Sequence, residues 1–459
     1  MPATIERAAV SERLVVEVWK RQTLASDLYS AAGQRIEVVY PGRQCWSCGP
    51  DFRDALIAID GELRHGDVEV HVRAGDWQSH GHHRDPAYDA VILHVVLWHD
   101  NTRFVSTSSD EEIPVLGLAP HLAVNVEDMP LYFATIPHLP FHCAETRQPH
   151  QITAAIDAAG DERLRARAAT FEAEMTQLEP DEVLYRAVMV ALGYSRNTAA
   201  FGELAELVPL SIVEAVAASA KVEARSSILQ ALLLGRARLL PSQRSTECGL
   251  PASPADQLFE ARLEARWQDL AARWADGCEM KQTWRFARVR PDNFPTRRIV
   301  AAAQLLSTAV EAGLIEYCLD PIRRSDPDHV PQMLEGQLTV VSQERYWQDH
   351  CDFGKARAAT GLHLIGQARA AEIAVNAILP FAFAYGQLTD DRDLSSRAIA
   401  VFGRYPATAD NEITRYMASL ILGANGAFLL RSAARQQGLL AIYKTWCLYK
   451  RCGDCPLST

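Results

Sequence analysis

The chain has 459 residues, 22% charged and 48% hydrophobic, with a formal net charge of −11. That length predicts about two to four domains. The acidic balance excludes a general coat of nucleic-acid-binding charge, so any such contact needs a local basic patch.

The opening residues MPATIERAAVSERL lack a basic segment followed by an apolar core, so no secretory signal is expected. The most apolar stretch, AVNAILPFAFAYG (374–386), is short, contains Asn376 and Pro380, and predicts a buried helix rather than a membrane span. A cytoplasmic location without membrane contact follows as the expectation. Ten cysteines in such a chain are expected as free thiols or metal ligands.

In chain order, Ser11 is placed to cap a helix carrying Leu14, Val15, Val18 and Trp19 at helical spacing. RIEVVYPG (35–42), DFRDALIAID (51–60) and GDVEVHVR (66–73) predict three strands. DWQSHGHHRDPAYD (76–89) is polar and predicts a short helix or loop. DAVILHVVLW (89–98) is nearly continuous in apolar residues, the pattern of a strand buried on both faces. These elements predict an α/β domain over residues 1–145 built on a mixed sheet.

TIPHLPFHCAETRQPHQI (135–152) is punctuated by proline and predicts a linker. Beyond it, alanine- and leucine-rich segments with period 3.6 and no fixed repeat predict a large irregular helical region over 146–459.

The chemistry concentrates on GPDFRDALIAIDGELRHGDVEVHV (49–72). Glu69 and His71, two apart in a strand, share one face, while Val68, Val70 and Val72 take the other. A tight turn at Asp60-Gly61 would bring Asp54 to the Glu69 face, whereas a bulge or longer loop would bring Asp51 there. Paired carboxylates on neighbouring strands can hold a divalent ion that activates water for phosphodiester cleavage.

Seven of the fourteen histidines lie within 65–99, where an even spread would leave about one. Trp77-x-x-His80-Gly81-His82, with Asp85, offers metal-ligand nitrogens or phosphate donors. His94, inside the apolar strand, is expected as a satisfied core histidine.

Two further stretches stand out. Cys447, Cys452 and Cys455 have spacing that could hold zinc or an iron–sulfur cluster, with Cys143, Cys45 or Cys48 as a fourth ligand. Cys248, Cys278, Cys318 and Cys351 are scattered and expected to be structural. WRFARVRPDNFPTRR (284–298) places Arg285, Arg288, Arg290, Arg297 and Arg298 among Trp284, Phe286 and Phe294, a candidate surface for phosphate and stacked bases.

The helix–strand–strand–strand–helix–strand order with Pro50-Asp51 and Glu69-x-His71 resembles the PD-(D/E)XK nuclease superfamily. The resemblance implies Asp51 and Glu69 as ligands of Mg²⁺ or Mn²⁺ and Glu17 on the first helix as an accessory acid. It puts His71 where that family carries lysine, and histidine can be neutral and serve as base or ligand.

At larger scale the chain resembles a bacterial family known as domain of unknown function 2851. That resemblance rests on GDVEVHVRAGDWQSHGHHRDPAYDAVILHVV, ALGYSRNTAAFGELAE, RPDNFPTRR, NAILPFAFAYG and QQGLLAIYKTWCLYKRCGDCP. It carries no activity with it.

The expected function is therefore a metal-dependent nuclease or nucleic-acid-processing protein acting on DNA or RNA. His80 and His82 join Asp51, Glu69 and His71 as site residues. The alternatives are a metal hydrolase of a small phosphoester and a non-catalytic scaffold.

Overall fold

The computed structural model describes all residues except 1–9, 23, 25–26, 46–48, 123–147, 195, 245–252, 275–278, 287–288, 358–361, 423–428, 450 and 458–459. The chain divides into two compact units. The first comprises residues 1–160, 410–430 and 435–459; the second comprises 161–409 and 431–434. The expected boundary near residue 145 falls outside the described residues. The last fifty residues, expected with the helical region, belong almost entirely to the first unit.

The first unit is a mixed sheet with an α-helix, α1 (Glu12–Arg21), on one face. Its strands are β1 (Leu28–Tyr29), β2 (Arg35–Tyr40), β3 (Arg43–Gln44), β4 (Phe52–Ile59), β5 (Glu62–Arg73), β6 (Val91–Trp98), β7 (Phe104–Ser106) and β8 (Glu112–Gly117). They are ordered β1-β2-β4-β5-β6-β8-β7, with β3 beside β4. β6 runs parallel to both β5 and β8, and the remaining pairs are antiparallel. The short strands β1 and β3, the edge strand β7 and its neighbour β8 were not expected from sequence. β6 is central, which accounts for its unbroken apolar run: it is buried along nearly its whole length.

The α1 stripe Val15, Val18 and Trp19 packs against Phe52, Ile57, Val68, Val70, Leu93 and Val95. On a second cluster, Tyr40 and Leu56 pack with Met417, Leu420, Leu439, Ile442 and Tyr443 from the C-terminal helices Glu412–Leu422 and Ala433–Thr445. Burying such apolar surface contributes roughly 25 cal/mol per Å², which is what brings the chain's end back to the sheet.

The hairpin between β4 and β5 turns through Asp60 (φ 53°) and Gly61 (φ 85°), the left-handed pair of a tight two-residue turn. Ile59 pairs with Glu62 and Ala55 with Gly66, but Phe52 then pairs with Val68. One extra residue is therefore accommodated at Arg53-Asp54, and Asp54 sits at φ 59°. Gly66 lies against β6 so closely that a Cβ there would be 2.4 Å from Ile92 Cγ2 and 2.6 Å from the Ala90 carbonyl oxygen.

The second unit is built of helices around one large apolar core. The apolar stretch 374–386 extends into a 22-residue helix, Gln367–Leu388, two-thirds buried through its most apolar window. Among the described residues this is the one continuous helix long and apolar enough to cross a membrane. It carries a π turn at Ala374–Ile378. Pro380 explains that turn: proline has no N–H for the carbonyl four residues back, Asn376. The freed Asn376 oxygen accepts from Arg167 Nε at 2.9 Å instead.

Candidate metal centre

The bulge in β4 decides which aspartate meets Glu69. Without it Phe52 would stand opposite Glu69; with it, Asp51 does. The Asp51 N–H donates to Glu69 Oε2 at 2.9 Å, and the Val70 N–H donates to Asp51 Oδ2 at 3.1 Å. Each carboxylate thus commits one oxygen to a main-chain N–H across the hairpin. Asp54 faces elsewhere: it pairs with Arg43 at 3.5 Å, and its N–H donates to Asp67 Oδ1 at 3.2 Å.

β5 presents Glu69 and His71 on one face, as alternation predicts, and buries them to 4% and 0% exposure. The crossover from β5 to β6 brings two more histidines over that face. His80 ends the short helix α2 (Asp76–Ser79), and His82 opens a 3₁₀ turn after Gly81, whose φ of 78° reverses the chain. His71 Nε2 is 3.1 Å from His80 Nδ1 and 3.5 Å from Glu69 Oε1, and His82 Nε2 is 3.3 Å from Glu69 Oε1. Among the described residues, His71, His80 and His82 form the one group of three ligand atoms close enough to share an ion.

Behind His71 stands His94, paired in register with Glu69 on β6. Its Nε2 lies 2.9 Å from His71 Nδ1. This core histidine is therefore an outer partner of the cluster, a role that its apolar strand context hid. Aromatic side chains close the rest: Trp77 packs 5.4 Å from the His82 ring and 5.2 Å from the His94 ring, while Tyr88 lies 3.9 Å from His82. Trp77 Nε1 donates to the Ser106 carbonyl at 2.9 Å, which anchors the wall to β7. Asp85 accepts from the Ala87 N–H as the cap of a turn.

Burial governs the charges. His71 is held down to about 2 by burial and then by its neighbours His94, His82 and His80; His94 is held to about 3 chiefly by burial. Both are neutral at pH 7 and keep lone pairs for bonding. Asp51 and Glu69 are pushed well above the carboxylate range, first by burial. Each other's proximity and the Glu12 charge reinforce this in Glu69, and Glu12 does so in Asp51.

On α1 the charge that bears on Asp51 and Glu69 is that of Glu12, while Glu17 is engaged on the helix itself. Five residues separate them, about 140° around a helix, and Glu17 instead pairs with Lys20 at 3.6 Å and Arg21 at 3.2 Å.

The other expected sites fare differently. Arg297 and Arg298 are buried, at 0% and 5% exposure. Arg297 donates to the carbonyl oxygens of Trp347, His350 (2.7 Å) and His363 (3.1 Å), and Arg298 to that of Leu364 (2.7 Å). Both spend most of their donors bracing irregular main chain from inside and are not the open surface the sequence predicted, while the Nε of each has no partner. Arg285 and Arg290 are exposed, and Arg288 lies outside the described residues. Trp284 and Phe286 pack inward, against Phe201 at 5.2 Å and under the Arg244 guanidinium at 4.4 Å.

Cys447 and Cys452 lie on 3₁₀ turns, and Cys455 directly follows the second. These cysteines do not form a second three-ligand group among the described residues. Cys48, Cys143, Cys248 and Cys278 fall outside those residues.

The donor set itself tests which ion fits. Ligands around a tetrahedral zinc-class ion lie about 3.3 Å apart; His71–His80, His82–Glu69 and His71–Glu69 are at 3.1, 3.3 and 3.5 Å, and the three histidine atoms lie within 4.8 Å of one another. Three imidazoles and a carboxylate suit zinc or iron; magnesium wants six oxygens and fits this nitrogen-rich set poorly.

No curated protein and no solved structure matches the chain significantly. A family model does: that of the proteins of unknown function DUF2851 matches residues 12–411, and the chain belongs to this family.

Proposed function

We propose that the chain is a metal-dependent phosphodiester hydrolase, nuclease-like in its first unit, with the ion held by His71, His80, His82 and Glu69. The observation that carries this is the gathering of His71, His80 and His82 ligand atoms within 4.8 Å of one another, with Glu69 Oε1 3.5 Å from His71 and 3.3 Å from His82. The connectivity α1, β2, β4, β5, α2 crossover, β6 parallel to β5 supports the nuclease-like reading.

A bound ion of this class acts as a Lewis acid and lowers the pKa of a coordinated water towards neutrality. The residues divide the remaining work. His94 orients His71 through the Nδ1–Nε2 contact, as outer partners of ligating histidines do. Asp51, lifted by burial into the range where a carboxyl exchanges protons near neutral pH, serves as acid or base beside the centre. His80 is exposed and marks the side from which substrate enters.

The test is metal analysis of the purified chain, then incubation with labelled single- and double-stranded DNA and RNA in Zn²⁺, Mn²⁺ or Mg²⁺. One equivalent of a zinc-class ion and metal-dependent cleavage are expected. His71→Ala and Glu69→Gln should each weaken metal binding by more than about 100-fold and abolish cleavage. Full metal retention in both variants would overturn the centre. A loaded protein that hydrolyses a small phosphodiester but no nucleic acid would move the substrate class.

A further inference from the structure

Two strings that carry the family resemblance meet in the second unit. Tyr194 comes from ALGYSRNTAAF, and Asn293 and Arg298 come from RPDNFPTRR. Arg369 and Glu372, on the helix Gln367–Leu388, join them.

Tyr194 is 36% exposed and has φ 54°, a left-handed conformation that an aromatic residue keeps only where its surroundings hold it. Its ring covers two guanidiniums: Arg369 Cζ lies 2.9 Å from the centroid and Arg298 Cζ 5.6 Å. Both arginines are at least nine-tenths buried.

Arg369 Nη1 meets Glu372 Oε2 at 2.6 Å and the Ala191 carbonyl at 3.4 Å, but its Nε and Nη2 have no hydrogen-bond partner. Arg298 uses Nη1 on the Leu364 carbonyl and Nη2 on Asn293 Oδ1, leaving Nε unmet.

Three buried guanidinium nitrogens thus lack acceptors beneath one exposed ring. Guanidinium does not shed its proton at neutral pH, and an unmet buried donor is costly. The charge is also unbalanced. Glu372 acts on both arginines, while Asp292, which acts on Arg298 as well, is ion-paired with Arg357 at 2.6 Å.

We propose that this is a binding site for a phosphate group, with Tyr194 as its cover. When the ring swings outward, the Nε–Nη2 edge of Arg369 takes two oxygens in the fork geometry that arginine offers to phosphate. Arg298 Nε takes a third. Three donors from two side chains match the oxygens of a single terminal phosphate rather than a continuous polymer backbone.

The experiment is calorimetric titration of the full chain with inorganic phosphate. It is done in a His71→Ala background after chelation, so that the metal centre does not contribute. Saturable one-to-one binding is expected, weakened at least about tenfold by Arg369→Met, which keeps length but removes the donors. Tyr194→Ala should bind phosphate faster.

Because Arg369→Met can fail to fold, protection is measured as well. Phosphate should shield Arg369 and Arg298 of otherwise unaltered protein from phenylglyoxal, read by mass spectrometry. A 5′-phosphorylated oligonucleotide that protects as well as inorganic phosphate would identify a nucleic-acid end as the source. Protection by inorganic phosphate alone would identify a small metabolite. Absence of saturable binding in both the Tyr194-containing and Tyr194→Ala chains, or no protection, overturns the proposal.

Discussion

The histidine-rich stretch 65–99 and the arginine-rich stretch 284–298 are both local concentrations of one residue type, and they end in opposite structural roles. In the first, strand alternation and a crossover loop bring His71, His80 and His82 to one point beside Glu69. In the second, Arg297 and Arg298 occupy the first turn of the helix Pro295–Ala309 and reach inward to main-chain carbonyls of residues 347–364. The partner's chemistry makes the difference. His71 lies 3.1 Å from His80, and Glu69 lies 3.5 Å from His71 and 3.3 Å from His82, so polar neighbours of these imidazoles are further candidate ligands. Guanidiniums facing irregular backbone find acceptors that would otherwise go unmet. A concentration of one residue type therefore marks a polar demand, and only the fold says whether a ligand or the protein itself meets it.

The largest expected effect breaks this comparison on the arginine side. Arg297→Met leaves three main-chain carbonyls, two of them buried, without their donor and should cost about 3–5 kcal/mol of unfolding free energy. Chemical denaturation measures it. A cost below about 1 kcal/mol would mean that Arg297 is not a brace and would reopen its assignment to a ligand.

A smaller effect sharpens the histidine side. In metal-free protein, His71 and His94 stay neutral far below their ordinary 6.5. Below that pH the unfolded chain takes up protons that the folded chain refuses, so stability falls with acid. The loss is at most about 1.4 kcal/mol per histidine per pH unit. Asp51 and Glu69 act with the opposite sign: their raised folded values stabilise in acid, and that contribution is lost as pH rises through those values. Glu69→Gln removes part of this offset. Its stability should therefore fall more steeply than wild type's between pH 6.5 and 4.5. Parallel curves would show that the carboxylate is not held protonated by burial.

The smallest effect is a control. Arg285→Ala and Arg290→Ala, at exposed positions, should change stability by less than about 0.5 kcal/mol. If they also leave nucleic-acid affinity and its salt dependence unchanged, the stretch is structural throughout. A reduced salt slope would restore a phosphate contact to these two residues.

Much of the first unit is legible in sequence because its strands carry strong period-2 or continuous apolar signals. β2, β4, β5 and β6 fall within the expected stretches, as does α1. β1, β3 and β7 were missed because two or three residues carry no periodic signal, whereas β8, as long as β2, lies beside the edge strand β7 and is interrupted by Pro114. Glu12 was passed over for Glu17 because a pattern match does not say which side of α1 faces the sheet.

Sequence by itself determined the local alternatives: Glu69 and His71 on one face of a strand, a turn at Asp60-Gly61, histidines gathered in the following loop, and a helical remainder. Those follow from backbone periodicity and turn stereochemistry, which act over a few residues. Tertiary structure decided the rest. It chose Asp51 over Asp54 through one bulged residue, drew His94 in from the neighbouring strand, and turned Arg297 and Arg298 away from solvent. It also returned the C-terminal helices to the sheet. Each of these depends on what a residue meets across the fold, and a one-residue shift in strand register or the packing of a distant helix changes that encounter without altering any local signal.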